Sequence, residues 1–432
     1  MRDVSLWQCL LGVEKTVVEG VEFDEDAQVL VAHVRPAARQ RGRCGLCRRR
    51  SPGYDAWPGR RRWRTLDLGS VTAVLEARSP RVRCRVHGVV VAAVPWARHD
   101  AGHTYAFDDQ VAWLATRSAK STVTELMRIA WRTVGSIIAR VWDDVEAGTD
   151  RFAKLRRIGI DEISYKKGHK YLMVVVDHDT GRLVWAAPGR SKATVGEFFD
   201  LLGPERSSQI THVSADGADF IDTIVAEMCP GAVRVADPFH IVKWATEALD
   251  EVRREAWNDA RKLARSEPKP ARGRPRADAP PRPGSERAKA LKGARYSLWK
   301  NPENLTDNQQ AKLAWIAQTD PRLYRAYLLK EGLRTVFKLP HAAAAEALDR
   351  WISWARRCRI PAFVKLQRSI VKHRARILAA IEHGLSNGLI ESTNTKIRLI
   401  TRMAFGFKSP AALIALALLS LGGHRPALPG RI

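Results

Sequence analysis

A chain of 432 residues with 72 Lys and Arg against 46 Asp and Glu carries a formal charge of +26. That excess points to a polyanionic partner, because basic side chains gain affinity by releasing counterions from phosphates. The length gives room for about two to four domains, and six cysteines spread over it exclude a disulfide scaffold and fit a reducing cytosol. No apolar run could span a bilayer, since Ala411 to Leu419 is short and Ser420 and a Gly pair follow closely; the N-terminus also lacks a signal-peptide layout. A cytoplasmic protein with no membrane partner is expected.

Residues 1–104 read as a β-rich unit, with a strand at Val29–Val34 after an acidic turn at Asp24-Glu25-Asp26. Within it lie Cys44-Gly-Leu-Cys47 and, after 36 intervening residues, Cys84-Arg-Val-His87. Two pairs at this spacing, each on a short turn, bring four soft ligands onto one tetrahedral ion, which suits structural zinc. His99 and His103 compete with His87 for the fourth place. Arg39, Arg41, Arg43, Arg48, Arg49 and Arg50 crowd the cluster, as a knuckle lying on DNA requires, although they could equally form a solvated face.

Residues 105–150 read as helical. Thr122-Val-Thr-Glu125 has the pattern of a capping box opening a helix through Ala130. After a break at Trp131–Thr133, a second helix starts near Gly135 and turns Ile137, Ile138 and Val141 inward. This is the layout of a helix-turn-helix, whose second helix enters the major groove. Arg132, Ser136 and Arg140 are its expected outward, DNA-facing residues.

Residues 151–250 read as a mixed α/β sheet. A strand with Ile158 and Ile160 runs out at Asp161, and the turn at Lys166-Lys167-Gly168 returns it as Tyr171–Val176. Strands follow at Leu183–Ala187, at Ile210–Ser214 (running out at Asp216) and at Ala232–Ala236, with helices at Thr194–Leu202 and Phe220–Met228. The last strand ends in Asp237-Pro-Phe-His240.

Residues 251–380 hold a basic loop and a helical stretch. Positions 261–300 contain thirteen Lys and Arg against three Asp and Glu, with six prolines between 268 and 283, so they read as a tether rather than core. Within them Pro270-Ala-Arg-Gly-Arg-Pro275 resembles the core of an AT-hook, which would send Arg272 and Arg274 into a minor groove. From Asn308 to Ile381 the chain reads as helices anchored by Trp315, Tyr324, Tyr327, Trp351 and Trp354. In residues 381–432, Glu391, Asn394 and Arg398 fall at i, i+3 and i+7 of a helix that also carries Ile390, Ile397 and Ile400. That helix packs, and its polar stripe can face a site.

The stretches I-G-I-D-E (158–162), K-G-H-K-Y (167–171), D-P-F-H (237–240) and S-N-G-L-I-E-S-T-N (386–394) resemble the Asp-Asp-Glu transposases of bacterial insertion sequences. With the knuckle and helix-turn-helix before them, they resemble the ISL-three family in particular. The resemblance implies an RNase H-like core interrupted by a helical insertion. It makes Asp161, Asp216 and Glu391 the catalytic acids and Mg²⁺ (or Mn²⁺) ligands. Asp237 and His240 match an accessory Asp-x-x-His signature, and Asn394 and Arg398 are accessory. Asp216 is preferred to Asp237 as second ligand because it ends the fourth strand. The implied activity is metal-dependent hydrolysis of double-stranded DNA at terminal inverted repeats, then transesterification of the 3′-hydroxyl into target DNA. It implies a homodimer or larger assembly at the bacterial nucleoid. A silent DNA-binding regulator and a nuclease on the same scaffold are the alternatives.

Overall fold

The computed structural model describes residues 3–56, 59–215, 219–267, 282–407 and 409–430, with backbone alone for 3–5. Helix α1 (Asp3–Leu10) precedes β1 (Thr16–Asp24), β2 (Val29–Pro36), β3 (Gly53–Asp55), β4 (Arg60–Arg64), β5 (Thr72–Arg78), β6 (Arg81–Cys84) and β7 (Gly88–Val91). The acidic turn closes the β1–β2 hairpin, where the Ala27 N–H donates to Asp24 Oδ1 at 2.9 Å. One sheet runs β1-β2-β5-β4 and a smaller one β3-β6-β7. The first buries alternate residues such as Val18, Val34, Trp63 and Leu75 together with Trp96.

Three helices follow: α2 (Tyr105–Ala115), α3 (Lys120–Met127) and α4 (Trp131–Gly148). Helix α3 begins two residues ahead of the expected capping box, after Ala119, because Val123 and Met127 form its buried face and the first turn must already be wound to place Val123. The break lies at 128–130 rather than 131–133. Arg128 takes a left-handed conformation (φ 51°) that ends α3, and its guanidinium is held by Asp67 and the Ser70 carbonyl. Trp131 then opens α4, whose inner face of Val134, Ile137, Ile138 and Val141 starts in its first turn.

The central sheet comprises β8 (Arg157–Lys166), β9 (Lys170–Asp177), β10 (Leu183–Pro188), β11 (His212–Ala215) and β12 (Val233–Ala236), in the order β10-β9-β8-β11-β12. The hairpin-connected strands are antiparallel, whereas β11 lies parallel to both β8 and β12. Alternation divides the strands between two faces. Ile158, Ile160, Met173 and Val175 pack with α5 (Lys192–Leu202) and α7 (Asp219–Met228), which flank the short α6 (Pro204–Ser207). Ile163, Leu172, Val174 and Val176 face the other way, into a core shared with α2, α3 and α4.

From β12 the chain leaves as α8 (Pro238–Ser266). It continues through α9 (Pro283–Lys292), α10 (Arg295–Trp299), α11 (Asp307–Thr319), α12 (Pro321–Val336), α13 (His341–Arg357), α14 (Pro361–Lys372) and α15 (Arg374–His383). These helices have their own core, including Leu249, Leu291, Leu323, Tyr327, Trp351 and Phe363, with Trp315, Tyr324 and Trp354 packed on it. Asp237-Pro238 and Asp320-Pro321 start helices by one device: the carboxylate accepts the first free N–H groups and the proline presets φ. The chain returns to the sheet as α16 (Gly388–Met403) and α17 (Pro410–Leu421). Apolar nearly all round, α17 is buried between α4 and β10. Among the described residues no helix is long and apolar enough to cross a membrane.

Candidate functional site

Ile160, Ala215 and Ala236 lie in register across β8, β11 and β12. The next residue of each strand in sequence is an aspartate: Asp161, Asp216 and Asp237. Asp161 is not at a strand end, as expected from sequence, because antiparallel pairing with β9 (Asp161 opposite Val174) carries β8 on to Lys166. Its parallel neighbour is described as far as Ala215, so Asp161 lies level with the described ends of β11 and β12, along one edge of the sheet. Asp216 lies outside the described residues.

Helix α16 approaches this edge from the far end of the sequence. Asn394 Nδ2 donates to Asp161 Oδ2 at 2.8 Å, and the Glu162 N–H donates to Asp161 Oδ1 at 2.8 Å. At the head of α16, the Asn387 N–H donates to Asp237 Oδ1 at 3.2 Å. Asn387, Glu391 and Asn394 stand at i, i+4 and i+7, on one stripe. The two asparagines touch the sheet edge, so half-buried Glu391 between them lies on the stripe facing it. Arg398, further along, is exposed.

Asp237 is 3% exposed and carries four donors: the N–H groups of Phe239 and His240 at 3.3 Å, His240 Nδ1 at 2.7 Å, and Asn387. Burial pushes its carboxyl up, but these donors outweigh burial and hold it below the usual carboxylate range. Sequence reasoning placed Asn387 in a motif but gave it no role. It also missed Asp222, which ties Arg234 of β12 (2.6 Å) to Arg376 of α15 (2.5 Å). No local signal marks such long-range pairs.

The donors at this edge are hard oxygens, the kind that suits magnesium. Asn394 Oδ1 and both carboxamide atoms of Asn387 are buried and have no hydrogen-bond partner among the described residues. The Asn394 oxygen, on the amide that bonds Asp161, is the kind of acceptor to which a cation-bound water can donate. Among the described residues, however, these acids do not bring three ligand atoms within 4.8 Å of one another.

The group that does is Cys44, Cys47, Cys84 and His87, whose ligand atoms all lie within 4.8 Å. The Sγ atoms of Cys47 and Cys84 are 3.7 Å apart, and His87 Nδ1 is 3.6 Å from the Sγ atoms of Cys44 and Cys84. A tetrahedral site with Zn–S bonds of about 2.3 Å has edges of roughly 3.8 Å, so the group suits structural zinc. Backbone N–H groups of Val86 and His87 bring the Cys84 thiol down to about 6, favouring the thiolate a metal needs. His99 and His103 stay outside this group. The His99 ring lies against Gly45, where a Cβ would meet Nδ1 at 2.5 Å, so this turn requires glycine. His103 stacks on Phe107, and burial with nearby Arg140 and Arg64 pushes it down to about 4.

The basic residues divide by use. Arg39, Arg41, Arg49 and Arg50 are exposed, but Arg48 ties the knuckle to the Val94 carbonyl (3.1 Å) and the Tyr105 hydroxyl (2.7 Å). On α4, Arg132 and Ser136 are exposed. Arg140 is not outward as expected: it bonds both oxygens of Asp108 at 3.2 Å, because that fully buried carboxylate needs a partner. Arg272 and Arg274 lie outside the described residues.

A strongly basic chain that joins a metal knuckle, a helix-turn-helix and an acidic sheet edge has the plan of a DNA-rearranging protein, a transposase. A family profile described as transposase matches residues 158–417. A helix-turn-helix domain of transposase family ISL3 matches 92–142, and a zinc-finger of transposase IS204/IS1001/IS1096/IS1165 matches 40–87. The full chain is 66% identical to the transposase for insertion sequence element IS1557 of Mycobacterium tuberculosis, in strains CDC 1551 and H37Rv, and spans 98% of it. Over 94% of its length it is 27% identical to the transposase for insertion sequence element IS1001 of Bordetella parapertussis, spanning 96% of that protein. The chain belongs to the ISL3 family of insertion-sequence transposases.

Proposed function

We propose that this transposase binds the terminal inverted repeats of its insertion sequence, hydrolyses a phosphodiester at each end and joins the freed 3′-hydroxyl to target DNA. The observation that carries this reading is the Asn394–Asp161 hydrogen bond, which couples the Glu391 helix to a strand 233 positions away in sequence. A sheet of three antiparallel strands extended by two parallel ones supports an RNase H-like core, with the helices between Asp237 and Asn387 as its insertion. Asp161, Asp216 and Glu391 are the proposed catalytic acids and would hold Mg²⁺ or Mn²⁺. When bound, such ions lower the pKa of water and stabilise both the attacking and the leaving oxygen of an in-line displacement.

The protein's own groups supply positioning. The amide of Asn394 and the N–H of Glu162 fix the Asp161 carboxylate, and the Asn394 bond ties α16, which carries Glu391, to this strand. In the first step a water oxygen bonds to phosphorus and the 3′-oxygen leaves as a hydroxyl. In the second that hydroxyl bonds to a target phosphorus and displaces the target's own 3′-oxygen, so no covalent protein intermediate is needed. The zinc knuckle and the exposed start of α4, with Arg132 and Ser136, are the proposed contacts to the repeats. Pairing of two ends calls for a dimer or larger assembly on DNA.

The test is strand transfer with pre-cut ends. Joined product is expected from the wild type and absent in Glu391→Gln, with end binding unchanged. Cleavage of intact ends without joining would make the protein a nuclease, and tight binding with neither reaction a regulator.

A further inference from the structure

The helical insertion leaves the sheet at Asp237 and returns at Asn387, and these two residues, 150 positions apart, are hydrogen-bonded to each other. The bond closes the base of an insertion that has its own core. It also joins two helix starts, because one carboxylate caps α8 through the N–H groups of Phe239 and His240 and takes the N–H at the head of α16. Both helix ends present unsatisfied N–H groups and positive dipole ends, which a single buried anion serves together.

We propose that Asp237 is a positioning residue that sets the glutamate helix on the sheet edge, and not a metal ligand. An ionised carboxylate offers about four lone-pair sites. Those of Asp237 are taken: Oδ1 by the N–H groups of Phe239 and Asn387, Oδ2 by the N–H and Nδ1 of His240. Its side chain is 1% exposed, which leaves no face for a hydrated cation. Glu391 lies one turn beyond Asn387 on the same stripe, so the place of Asn387 sets that of Glu391. A second tie, Arg376 to Asp222 to Arg234, holds the last insertion helix to β12 and keeps the return path short.

The inference rests on the proposed acid site, and it gives Asp237 and Asp161 opposite signatures. The experiment uses the full-length protein with Asp237→Asn, Asp237→Ala and Asp161→Asn, the asparagine being the conservative variant because it keeps an oxygen for the Asn387 N–H. Hydrogen exchange across 387–394 should speed up in Asp237→Ala and return towards wild type in Asp237→Asn. Mn²⁺ bound per chain on end DNA, counted by electron paramagnetic resonance, should fall in Asp161→Asn and hold in Asp237→Asn. Cleavage should stay within about tenfold of wild type in Asp237→Asn and drop about 100-fold in Asp237→Ala, the scale of a misplaced catalytic group. Loss of Mn²⁺ from Asp237→Asn would overturn the proposal by making Asp237 a ligand. Unchanged exchange in Asp237→Ala would overturn it by showing that the bond does not hold α16. Exchange is read without any reaction, so a wild type inactive in cleavage would refute the function proposed above and leave this test decisive.

Discussion

Arg98 sits where the N-terminal β unit meets the helix-turn-helix, and replacing it should loosen that joint by a predictable amount. Its guanidinium is 8% exposed and reaches Asp108 of α2 at 3.3 Å, Asp109 of α2 at 2.8 Å and Asp144 of α4 at 2.6 Å. Breaking a buried ion pair from one side costs about 3–5 kcal/mol, mostly because the partner charge stays buried. Two features push Arg98→Met towards the lower end. Asp108 keeps Arg140, and Asp144 is 53% exposed, so water can replace its partner. Methionine also keeps much of the apolar stem. The expected loss is about 3 kcal/mol in the opening of α2 and α4, or roughly a 100-fold faster amide exchange there, with α12 as internal reference. Adding Asp108→Asn should cost less than the sum of the two singles by about 1 kcal/mol or more, since the pair shares one network. A change under about 0.5 kcal/mol, the range of ordinary surface substitutions, would refute the joint.

The same joint should be sensitive to acid. The folded state holds His103 at about 4, below its ordinary 6.5, so the unfolded chain takes up the proton first as pH falls. The 3.7 Å approach of Nδ1 to Asp108 is therefore no ion pair at neutral pH. Stability present above pH 6.5 should decline towards pH 4 by on the order of 2–3 kcal/mol, and His103→Gln should flatten that difference; parallel profiles would contradict it. Asn394→Ala should lower cleavage about 10- to 100-fold, the scale of one hydrogen bond to a charged group, and leave end binding intact; equal loss of binding would make Asn394 a folding residue. One zinc per chain is expected, and its chelation should speed amide exchange around the knuckle and β6–β7 while sparing the β1-β2-β5-β4 sheet, which has its own core. Uniform exchange before and after chelation would remove the metal from the account.

What the sequence revealed was local. Two x-x-spaced ligand pairs and a β-branched run such as Val174–Val176 carry their meaning in neighbouring residues, and the four knuckle ligands do converge. Element ends were less legible. Asp161 continues in strand because β9 pairs past it, and α3 starts early because Val123 must be buried, facts that depend on partners elsewhere. Arg140 looked like a solvated contact because periodicity gives a face but not the buried Asp108 waiting on it. Likewise, the apolar stripes of α4 and α16 announced burial, but not that they share one core beneath the sheet. Asn387 and Asn394 find their carboxylates 150 and 233 positions away, and no spacing rule reaches that far.

The central claim is that Asp161 belongs to a metal-dependent DNA-cleaving site. Its most direct test is cleavage of DNA carrying the element's own ends, with and without Mg²⁺, by the wild type and by Asp161→Asn. Nicking that needs Mg²⁺ and disappears in the variant, at undiminished end binding, is the predicted result. Nicking that survives Asp161→Asn, or tight binding by the wild type with no nicking at any Mg²⁺ concentration, would contradict it.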